Sequence, residues 1–397
     1  MKTAVRFGAD AVYCGGGSYS LRAADTSFNL ADLEEGINFA HKYGCRVYLA
    51  LNIFAFDEDI EAMMGYLTRA VAMGIDAVIV SDPGVIYRIR EMGLKVMIHL
   101  STQANTTNSL SARFWREQGV DRIVLARELS LSRTRAIKEK VPEMELEVFI
   151  HGAMCIAYSG RCLLSAFLSN RSANRGGCNQ PCRWEYRLKE AMRDDELTIG
   201  EDERGAYILN SRDLCMIGHI PELAASGVDS LKIEGRMKTA YYVAAVTRIY
   251  RVALDEFKQK GAEYEYKPEW LAELKKVSHR PYTTGFYLPC EEVETEYTAD
   301  SSYVRGYDFV GTVDEHDTEK SILRVKARNR FFTGDVLEIL DPGNPEVIKL
   351  KADKIYDEKT GCEIEAAHNS YSVRIPIHTW RGPEISKHSV IRAKTGG

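Results

Sequence analysis

The sequence lacks any apolar segment long enough to cross a bilayer. No hydrophobic run in its 397 residues approaches the roughly 18 residues that a membrane-spanning helix needs, and the opening MKTAVRFGAD contains no signal-peptide core. Hydrophobic residues make up 45% and charged residues 27%, which is typical of a chain that buries a core. We therefore expect a globular protein of the cytoplasm with no membrane partner.

An excess of positive charge is also missing. The formal net charge is −5, so the chain as a whole has no attraction for nucleic acid, and RNA would have to be bound by a local basic patch. Two protease signatures are absent as well, the Gly-x-Ser-x-Gly elbow and His-Glu-x-x-His. The usual parts of a serine protease or a zinc protease are therefore not present.

A recurring pattern fills the first two thirds of the chain. A glycine that can end a helix is followed by a short polar link and an apolar run typical of a buried strand, and amphipathic stretches separate most of these runs. The predicted strands are residues 11–15, 46–52, 77–81, 96–101, 122–126, 147–152, 207–210 and 230–235. This alternation predicts an α/β fold, a (β/α)8 TIM-barrel-like domain, with a doubly wound open sheet as the alternative.

The pattern changes toward the C-terminus. We assign residues 1–258 to the barrel domain, with a Cys-rich insertion at 153–186, and residues 259–300 to a linker region. From 301 to 397, short alternating strands and Gly or Asp-Pro-Gly turns predict a small antiparallel β-barrel. Because the chain opens on a helical pattern, we expect that the first barrel strand is missing and that the strand at 207–210 is supernumerary.

Polar residues close or follow several of the predicted strands. In a (β/α)8 barrel the active site lies at the carboxyl ends of the strands, so these residues are candidates for it. They are Asn52, Ser101, Gln103, Arg127, His151, Asn210, Glu234 and Arg236. His99 lies within its strand and is expected to point into the barrel. Any one of them could be an ordinary hydrogen-bonding group, but together they indicate a site.

Four of the nine cysteines lie just after the strand that ends at His151. Cys155, Cys162, Cys178 and Cys182 have the spacing C-x6-C-x15-C-x3-C. In a reducing compartment such a cluster favours metal binding or redox chemistry over disulfides. The spacing suits a [4Fe–4S] cluster better than a zinc ribbon, although zinc and unliganded thiols stay open. Cys215 is a reserve ligand.

The same insertion is rich in arginine. Arg161, Arg171, Arg175 and Arg183 lie among its glycines and asparagines. Arginines near a strand end can bind an anion or RNA phosphates, although a solvated loop would also tolerate them.

Residues 147–165 (EVFIHGAMCIAYSGRCLLS) resemble the signature of peptidase family U32 at every constrained position. The signature reads Glu-x-Phe-x-x-Gly, a small and an aliphatic residue, Cys, four residues, then Gly-x-Cys-x-aliphatic-Ser. GADAVYCGG, GGCNQPCRWEY and SLKIEGRMKTAYYVAAVTRIY are similar to the same family, the last two to its tRNA-hydroxylating branch. The resemblance covers essentially the whole chain except the family's opening strand, an LLAPAG-like segment.

The resemblance implies a tRNA uridine 5-hydroxylase. Such an enzyme makes 5-hydroxyuridine at the wobble position, takes the hydroxyl group from prephenate and depends on an iron–sulfur cluster. The implied partners are therefore tRNA and a small anionic organic acid.

On this reading, each candidate residue has a role. Cys155, Cys162, Cys178 and Cys182 would hold the cluster, and His151, His99 and Glu234 would move protons. The substrate-binding candidates are Arg22, Asn52, Gln103, Arg161, Arg236, Tyr241 and Tyr242. The arginines would grip the anionic donor and the tyrosines would stack on the base, although at least one tyrosine is expected in the core.

Two rival functions stay open. One is a collagenase-like peptide hydrolase that uses Cys155 and His151 as nucleophile and base. The other is a non-catalytic RNA-binding subunit, in which zinc or the cluster is structural. A partner subunit of the same family is compatible with either outcome.

Overall fold

In the computed structural model, the protein folds into two compact units. The first comprises Met1–Val5, Asp10–Met237 and Arg280–Ser302, and the second comprises Arg6–Ala9, Lys238–His279 and Tyr303–Gly397. The structure describes residues 1–20, 28–155, 157–158, 161–162, 164–169, 171–178, 181, 186–189, 196–199, 212–236, 238–288, 306–378 and 380–395. None of the helices in these ranges combines the length and the apolar character needed to traverse a bilayer.

The first unit is built on a mainly parallel sheet. Its strands and those of a separate hairpin are β1 (Ala11–Gly15), β2 (Arg46–Leu51), β3 (Ala77–Val80), β4 (Met97–Leu100), β5 (Arg122–Val124), β6 (Glu145–Ala153), β7 (Tyr186–Lys189), β8 (Glu196–Ile199), β9 (Asp213–Cys215), β10 (Ser230–Ile233) and β11 (Tyr282–Thr283). All the strands predicted in the first 258 residues are confirmed except that at 207–210, which lies outside the described residues.

The strand order is sequential from β1 to β6. β10 then pairs in parallel with the first part of β6, while β9 pairs antiparallel with its last part and carries β11. A doubly wound sheet would contain a point at which the order reverses, and the parallel strands within the described residues have none. The parallel α/β architecture is therefore TIM-like, as predicted.

Helices connect most of the parallel strands. The helices, in chain order, are α1 (Lys2–Arg6), α2 (Leu30–Lys42), α3 (Asp57–Ala72), α4 (Pro83–Glu91), α5 (Ser109–Glu117), α6 (Leu131–Lys140), α7 (Leu164–Ser169), α8 (Ile220–Ala225), α9 (Ala240–Lys260) and α10 (Pro268–Leu274). Side-chain caps start several of them: the Asn29 carboxamide oxygen, for example, accepts the Asp32 backbone N–H at 2.8 Å. After α2 and α3 the chain turns at Gly44 and Gly74, whose φ values of 69° and 91° favour glycine.

The parallel sheet curls so that side chains of its first and last parallel strands meet. The Tyr13 hydroxyl on β1 donates to the Glu234 carboxylate just after β10 at 3.0 Å, and the Lys232 ammonium lies 4.4 Å from the centre of the Tyr13 ring. Among the described strands no backbone pairing joins β1 to β10. Alternate residues of β1 to β4 form an apolar cluster on one face, including Tyr48 and Ile79.

The second unit contains α9, α10 and an antiparallel sheet. Its strands are β12 (Tyr307–Asp317), β13 (Ile322–Ala327), β14 (Phe331–Phe332), β15 (Val336–Leu340), β16 (Val347–Lys351), β17 (Ile355–Asp357), β18 (Glu363–Ile364), β19 (Ala366–Ala367), β20 (Ser372–Pro376) and β21 (Val390–Lys394). The main sheet has the order β16-β15-β21-β12-β13-β20-β17-β18 and curls around an apolar core, while β14 pairs with β19. This confirms the antiparallel domain predicted from residue 301 onward.

The unit boundary differs from the one expected from the sequence. The sequence pattern places α9 in the barrel domain and residues 259–300 in a linker, whereas the structure groups α9 and α10 with the second unit. The reason lies in Arg392 of β21, whose side chain is fully buried. Its guanidinium contacts Glu338 of β15 at 2.6 Å, Glu273 of α10 at 2.5 Å and the Tyr241 hydroxyl of α9 at 3.2 Å.

Replacing Arg392 with methionine should strongly destabilise the second unit. The change leaves the Glu273 and Glu338 carboxylates without their main partner, and breaking a buried ion pair of this kind costs about 3–5 kcal/mol. Arg374→Met, at a partly exposed arginine beside Glu358, should cost less than about 1 kcal/mol. Hydrogen exchange of β15 and β21 in the full chain measures both effects. Equal protection in the two variants would contradict this account.

Candidate active site at the carboxyl edge of the parallel sheet

A buried carboxylate organises the side chains inside the sheet. Glu147 of β6 accepts from Lys232 of β10 at 2.7 Å, from the Ser230 hydroxyl at 2.8 Å and from Arg122 of β5 at 3.2 Å. Burial by itself would raise the pKa of Glu147, but attraction to Lys232 and the other neighbouring charges outweighs it and lowers the pKa to about 2. Glu147 is therefore ionised, and it ties three strands together.

Sequence reasoning missed this cluster. Its signal was the presence of Arg122, Glu147 and Lys232 inside short runs that are otherwise apolar. A charge inside a buried strand needs a partner, so three such residues on neighbouring strands predict an internal ion-pair network.

His99 lies on β4 close to this cluster. It is 1% exposed, its ring centre is 4.6 Å from that of Tyr48, and within the described residues neither ring nitrogen has a hydrogen-bond partner. Burial, followed by the positive charge of Arg122, lowers the pKa of His99 to about 3. The imidazole is therefore neutral near pH 7. A protonated His99 is thus not available as an acid at that pH.

His151 and Glu234 lie side by side at the carboxyl edge, where the parallel strands end. The Glu234 backbone N–H donates to the His151 carbonyl at 2.9 Å, and both side chains are buried. The pairing of β6 with β10 shifts in register between Lys232 and Ile233, so that His151 pairs with Ile233. The two predicted proton-transfer residues are thus adjacent at the carboxyl edge of the sheet.

Arg236 is held at the same edge. Its guanidinium donates to the Ser20 hydroxyl at 2.5 Å, and its backbone N–H donates to the Glu234 carboxylate at 3.3 Å. The guanidinium also lies 5.9 Å from the centre of the Tyr13 ring. This fixes a positive charge beside Glu234, as an anion-binding role would require.

A second polar group follows β2 and β4. The Asn52 amide donates to the Ser101 hydroxyl at 3.3 Å, and Ser101 lies 3.5 Å from the Gln103 carboxamide oxygen. Gln103 is 1% exposed, and its amide nitrogen has no partner among the described residues. The structure therefore brings Asn52 and Gln103 together. Arg127 instead packs its guanidinium 3.8 Å from the centre of the Phe149 ring.

The segment after β6, residues 154–178, is called here the thiol loop. Within this loop, the Asn174 side chain hydrogen-bonds to both backbone groups of Cys162. It accepts the Cys162 N–H at 3.1 Å and donates to the Cys162 carbonyl at 2.9 Å. The Ser165 hydroxyl lies 3.9 Å from the Cys178 sulfur. Burial raises the pKa of Cys162, and the charges of Cys155 and Cys178 raise it further, so the three thiols interact electrostatically.

The thiol loop is fastened to the connection between β2 and α3. Arg175 donates to the Asp59 carboxylate at 2.8 and 3.1 Å and to the Phe54 carbonyl at 2.8 Å, while the Phe54 N–H donates to the Asn174 carbonyl at 3.0 Å. The hydrogen bond from Arg175 lowers the pKa of Asp59, which keeps this carboxylate ionised. The loop therefore runs from the end of β6 to the end of β2 along the carboxyl edge.

The thiol loop offers sulfur ligands of the kind that an iron–sulfur cluster needs. Backbone groups of Leu164 and Ser165 stabilise a negative charge on Cys162, as hydrogen bonds to cluster sulfurs do. In the described ranges no group of three or more His, Cys, Asp and Glu side chains is arranged around a single metal ion. A cluster contacts each thiolate through a different iron, so its thiols need not meet at one point. Thiolates are the ligands that iron–sulfur clusters take, and the fourth predicted ligand, Cys182, lies outside the described residues.

Other predicted site residues have different positions. Arg22 and Asn210 lie outside the described residues, as does Arg183. Arg161 is exposed, with its guanidinium 5.9 Å from the centre of the Phe54 ring. Cys215 on β9 is the direct antiparallel neighbour of His151, away from the thiol loop in sequence.

Tyr241 and Tyr242 belong to the second unit and are each 3% exposed. Tyr241 contacts Arg392 and stacks on Phe309 with ring centres 6.4 Å apart. The structure corrects the prediction that Tyr241 stacks on a base, because the packing of the core already occupies its ring. Tyr242 is equally buried, with the Lys238 ammonium 5.0 Å from its ring centre.

His99 should make stability depend on pH. Its pKa is about 3 in the folded protein and near 6.5 in the unfolded chain, so between these values only the unfolded chain binds the proton. The free energy of unfolding should therefore fall as pH falls from 6.5, by up to about 1.4 kcal/mol per pH unit from this residue. His99→Gln should remove that part of the slope.

The matched control is His378→Gln, at an exposed histidine of the second unit. Hydrogen exchange of β3 and β4 between pH 7 and 4.5 measures the slope in each variant. If His99→Gln and His378→Gln lose stability with pH as steeply as the original chain, the buried neutral histidine does not act as described.

The chain is similar to several bacterial proteins over most of its length. It is 39% identical over 373 residues to tRNA hydroxylation protein P1 of Bacillus subtilis, covering 94% of this chain and 88% of the relative. It is 36% identical to tRNA hydroxylation protein P of Escherichia coli, covering 95% and 91%. A protein of Porphyromonas gingivalis named collagenase is 31% identical, covering 95% and 92%.

Two family models match consecutive parts of the chain. The model described as peptidase family U32 matches residues 1–297, and the model of the U32 C-terminal domain matches residues 305–392. Together they span the thiol loop, the parallel sheet and the antiparallel sheet described above. The chain therefore belongs to peptidase family U32.

Proposed function

We propose that this protein hydroxylates C5 of a uridine in tRNA, at the wobble position, with a [4Fe–4S] cluster held by the thiol loop together with Cys182, and with prephenate as the hydroxyl donor. The observation that carries the proposal is the thiol loop itself, which holds Cys155, Cys162 and Cys178 at the carboxyl edge, next in sequence to His151. The names of the Bacillus subtilis and Escherichia coli relatives support the RNA substrate and the reaction.

Cys155, Cys162, Cys178 and Cys182 would hold the cluster. When bound, the cluster would supply one-electron transfer at the edge of the sheet. The protein's own contribution is to keep the thiols in place. Asn174 fixes the backbone of Cys162, and the Arg175–Asp59 pair fixes the far end of the loop.

The reaction needs a donor that accepts electrons. Hydroxylation replaces the C5 hydrogen of the base with a hydroxyl group, so the base loses two electrons. The donor gives up its oxygen atom, takes up the hydrogen and gains the two electrons, which balances the exchange. Prephenate carries a hydroxyl group and two carboxylates, and Arg236 with Ser20 would bind a carboxylate at the edge.

The two buried side chains at the strand ends, Glu234 and His151, would transfer protons. Glu234 is held between the Tyr13 hydroxyl and the Arg236 backbone, so its carboxylate has a fixed direction. His151 lies beside it on β6. Either side chain could accept a proton as the C5–H bond is lost, provided that the base reaches the edge of the sheet.

The target base would have to unstack from its neighbours in the tRNA and stack on exposed aromatic rings. Tyr241 and Tyr242 do not provide these rings, because their side chains are buried. Phe54 and Phe56 follow β2 at the carboxyl edge and are 38% and 52% exposed, and the Arg175 guanidinium lies 4.8 Å from the centre of the Phe56 ring. Aromatic rings beside arginine are the usual means of holding an unstacked RNA base.

The Cys178→Ala variant tests both the binding of the cluster and the hydroxylation reaction. After anaerobic purification, the original chain should contain about four irons with matching sulfide and absorb broadly in the visible range. Cys178→Ala should lose most of the iron, and tRNA from cells that carry only this variant should lose 5-hydroxyuridine. Nucleoside analysis by mass spectrometry measures the product.

Cys362→Ala is the matched control, because Cys362 is an exposed thiol of the second unit. It should keep both iron and 5-hydroxyuridine. Unchanged 5-hydroxyuridine in the Cys178→Ala cells would overturn the proposal. A colourless protein with a single zinc, or hydrolysis of collagen peptides that requires Cys155, would favour the rival functions.

A further inference from the structure

The second unit carries an exposed face that the proposed reaction does not use. We call it the aromatic face and define it by Arg328, Arg330, Phe332, His368 and Tyr371. Its residues come from two segments, one that follows β13 and one that follows β19. No side chain of the face contributes to the apolar core of the antiparallel sheet.

Backbone hydrogen bonds hold the two segments together. The Ala327 N–H donates to the Tyr371 carbonyl at 2.8 Å, and the Ser370 N–H donates to the Ala327 carbonyl at 3.0 Å. Phe331 pairs with Ala367 between β14 and β19, and both side chains are buried. Because residues alternate along a strand, burying Phe331 directs Phe332 outward.

The rings of the face are open to solvent. Phe332 is 44% exposed and Tyr371 is 41% exposed. The Arg330 guanidinium lies 4.5 Å from the centre of the Phe332 ring, and the His368 ring centre lies 5.5 Å from that of Tyr371. Each ring therefore has a cationic or polar planar group beside it.

The charge of the face is positive, although the net charge of the chain is −5. Arg328 and Arg330 are exposed, and among the described residues neither has an acidic partner within ion-pair distance. The nearest acid in sequence is Asp335. The Asp335 carboxylate already accepts the Phe332 backbone N–H at 2.7 Å. The arginines are left available for an external anion.

We propose that the aromatic face binds unpaired nucleotides of the tRNA, separate from the uridine that is modified. Phe332 and Tyr371 would stack on bases, and Arg328 and Arg330 would contact the adjoining phosphates. Exposed rings interleaved with unpaired arginines are the arrangement by which proteins hold single-stranded nucleic acid without reading its sequence. This inference rests on the proposed function, because it takes tRNA as the substrate.

The test measures tRNA binding directly, apart from hydroxylation. Fluorescence anisotropy with labelled, unmodified tRNA gives the dissociation constant of the full-length holoprotein at several salt concentrations. Phe332→Ala should weaken binding about tenfold, within the range known for base–aromatic stacking. The double variant Arg328→Ala with Arg330→Ala should also reduce the slope of log affinity against log salt by about 1.4 to 1.8.

Two variants of the same unit serve as matched controls. Val336→Ala shortens another exposed apolar side chain, and Lys349→Ala removes an exposed positive charge on β16. Neither should change the dissociation constant more than twofold. Since all the replaced side chains are exposed, circular dichroism and the melting temperature should match those of the original chain.

Binding that is unchanged in both Phe332→Ala and the double arginine variant would overturn the aromatic face as an RNA site. So would equal losses in the controls, or a face that captures a protein while tRNA affinity stays constant. A chain that binds tRNA through this face but forms no 5-hydroxyuridine would instead overturn the proposed reaction. The failures of the two proposals are therefore distinguishable.

Discussion

The buried carboxylate of Glu147 sets the geometry on which the candidate site depends. An ionised carboxylate inside a sheet is tolerated only with partners of opposite charge, and here these are Lys232 and Arg122 on the two neighbouring strands. Three strands are thereby fixed in register at one level. Beyond a register shift between β6 and β10, these strands reach the carboxyl edge, where His151 and Glu234 lie side by side.

The thiol loop depends on the same edge for its position. A long connection after β6 would have no defined path without contacts of its own. Asn174 supplies one set by bonding both backbone groups of Cys162, and Arg175 supplies another by joining Asp59 and Phe54. The loop therefore lines one side of the candidate site, and its thiols lie where the parallel strands end. That placement is what a redox group near a bound base would require.

In the proposed function, the two units would each contribute contacts to RNA. The chain carries net negative charge, so affinity for a polyanion has to come from local groups. Phe54 and Phe56 with their arginines lie at the edge of the first unit, and the aromatic face lies on the second. A reacting base would have to be unstacked, which costs free energy, and contacts elsewhere on the same RNA would offset that cost.

Local pattern was sufficient to predict much of the architecture. Glycine-terminated helices followed by apolar runs predicted the parallel strands, because helix ends and strand burial depend on nearby residues. The family signature, centred on Cys155 and Cys162, identified the family for the same reason. Short-range pattern could not predict that Arg392 draws α9 and α10 into the second unit, or that Tyr241 is buried there. Nor could it pair Glu147 with Lys232, 85 residues away, or join the segments of the aromatic face. Those facts depend on contacts between residues distant in sequence, and only the tertiary structure brings such residues together.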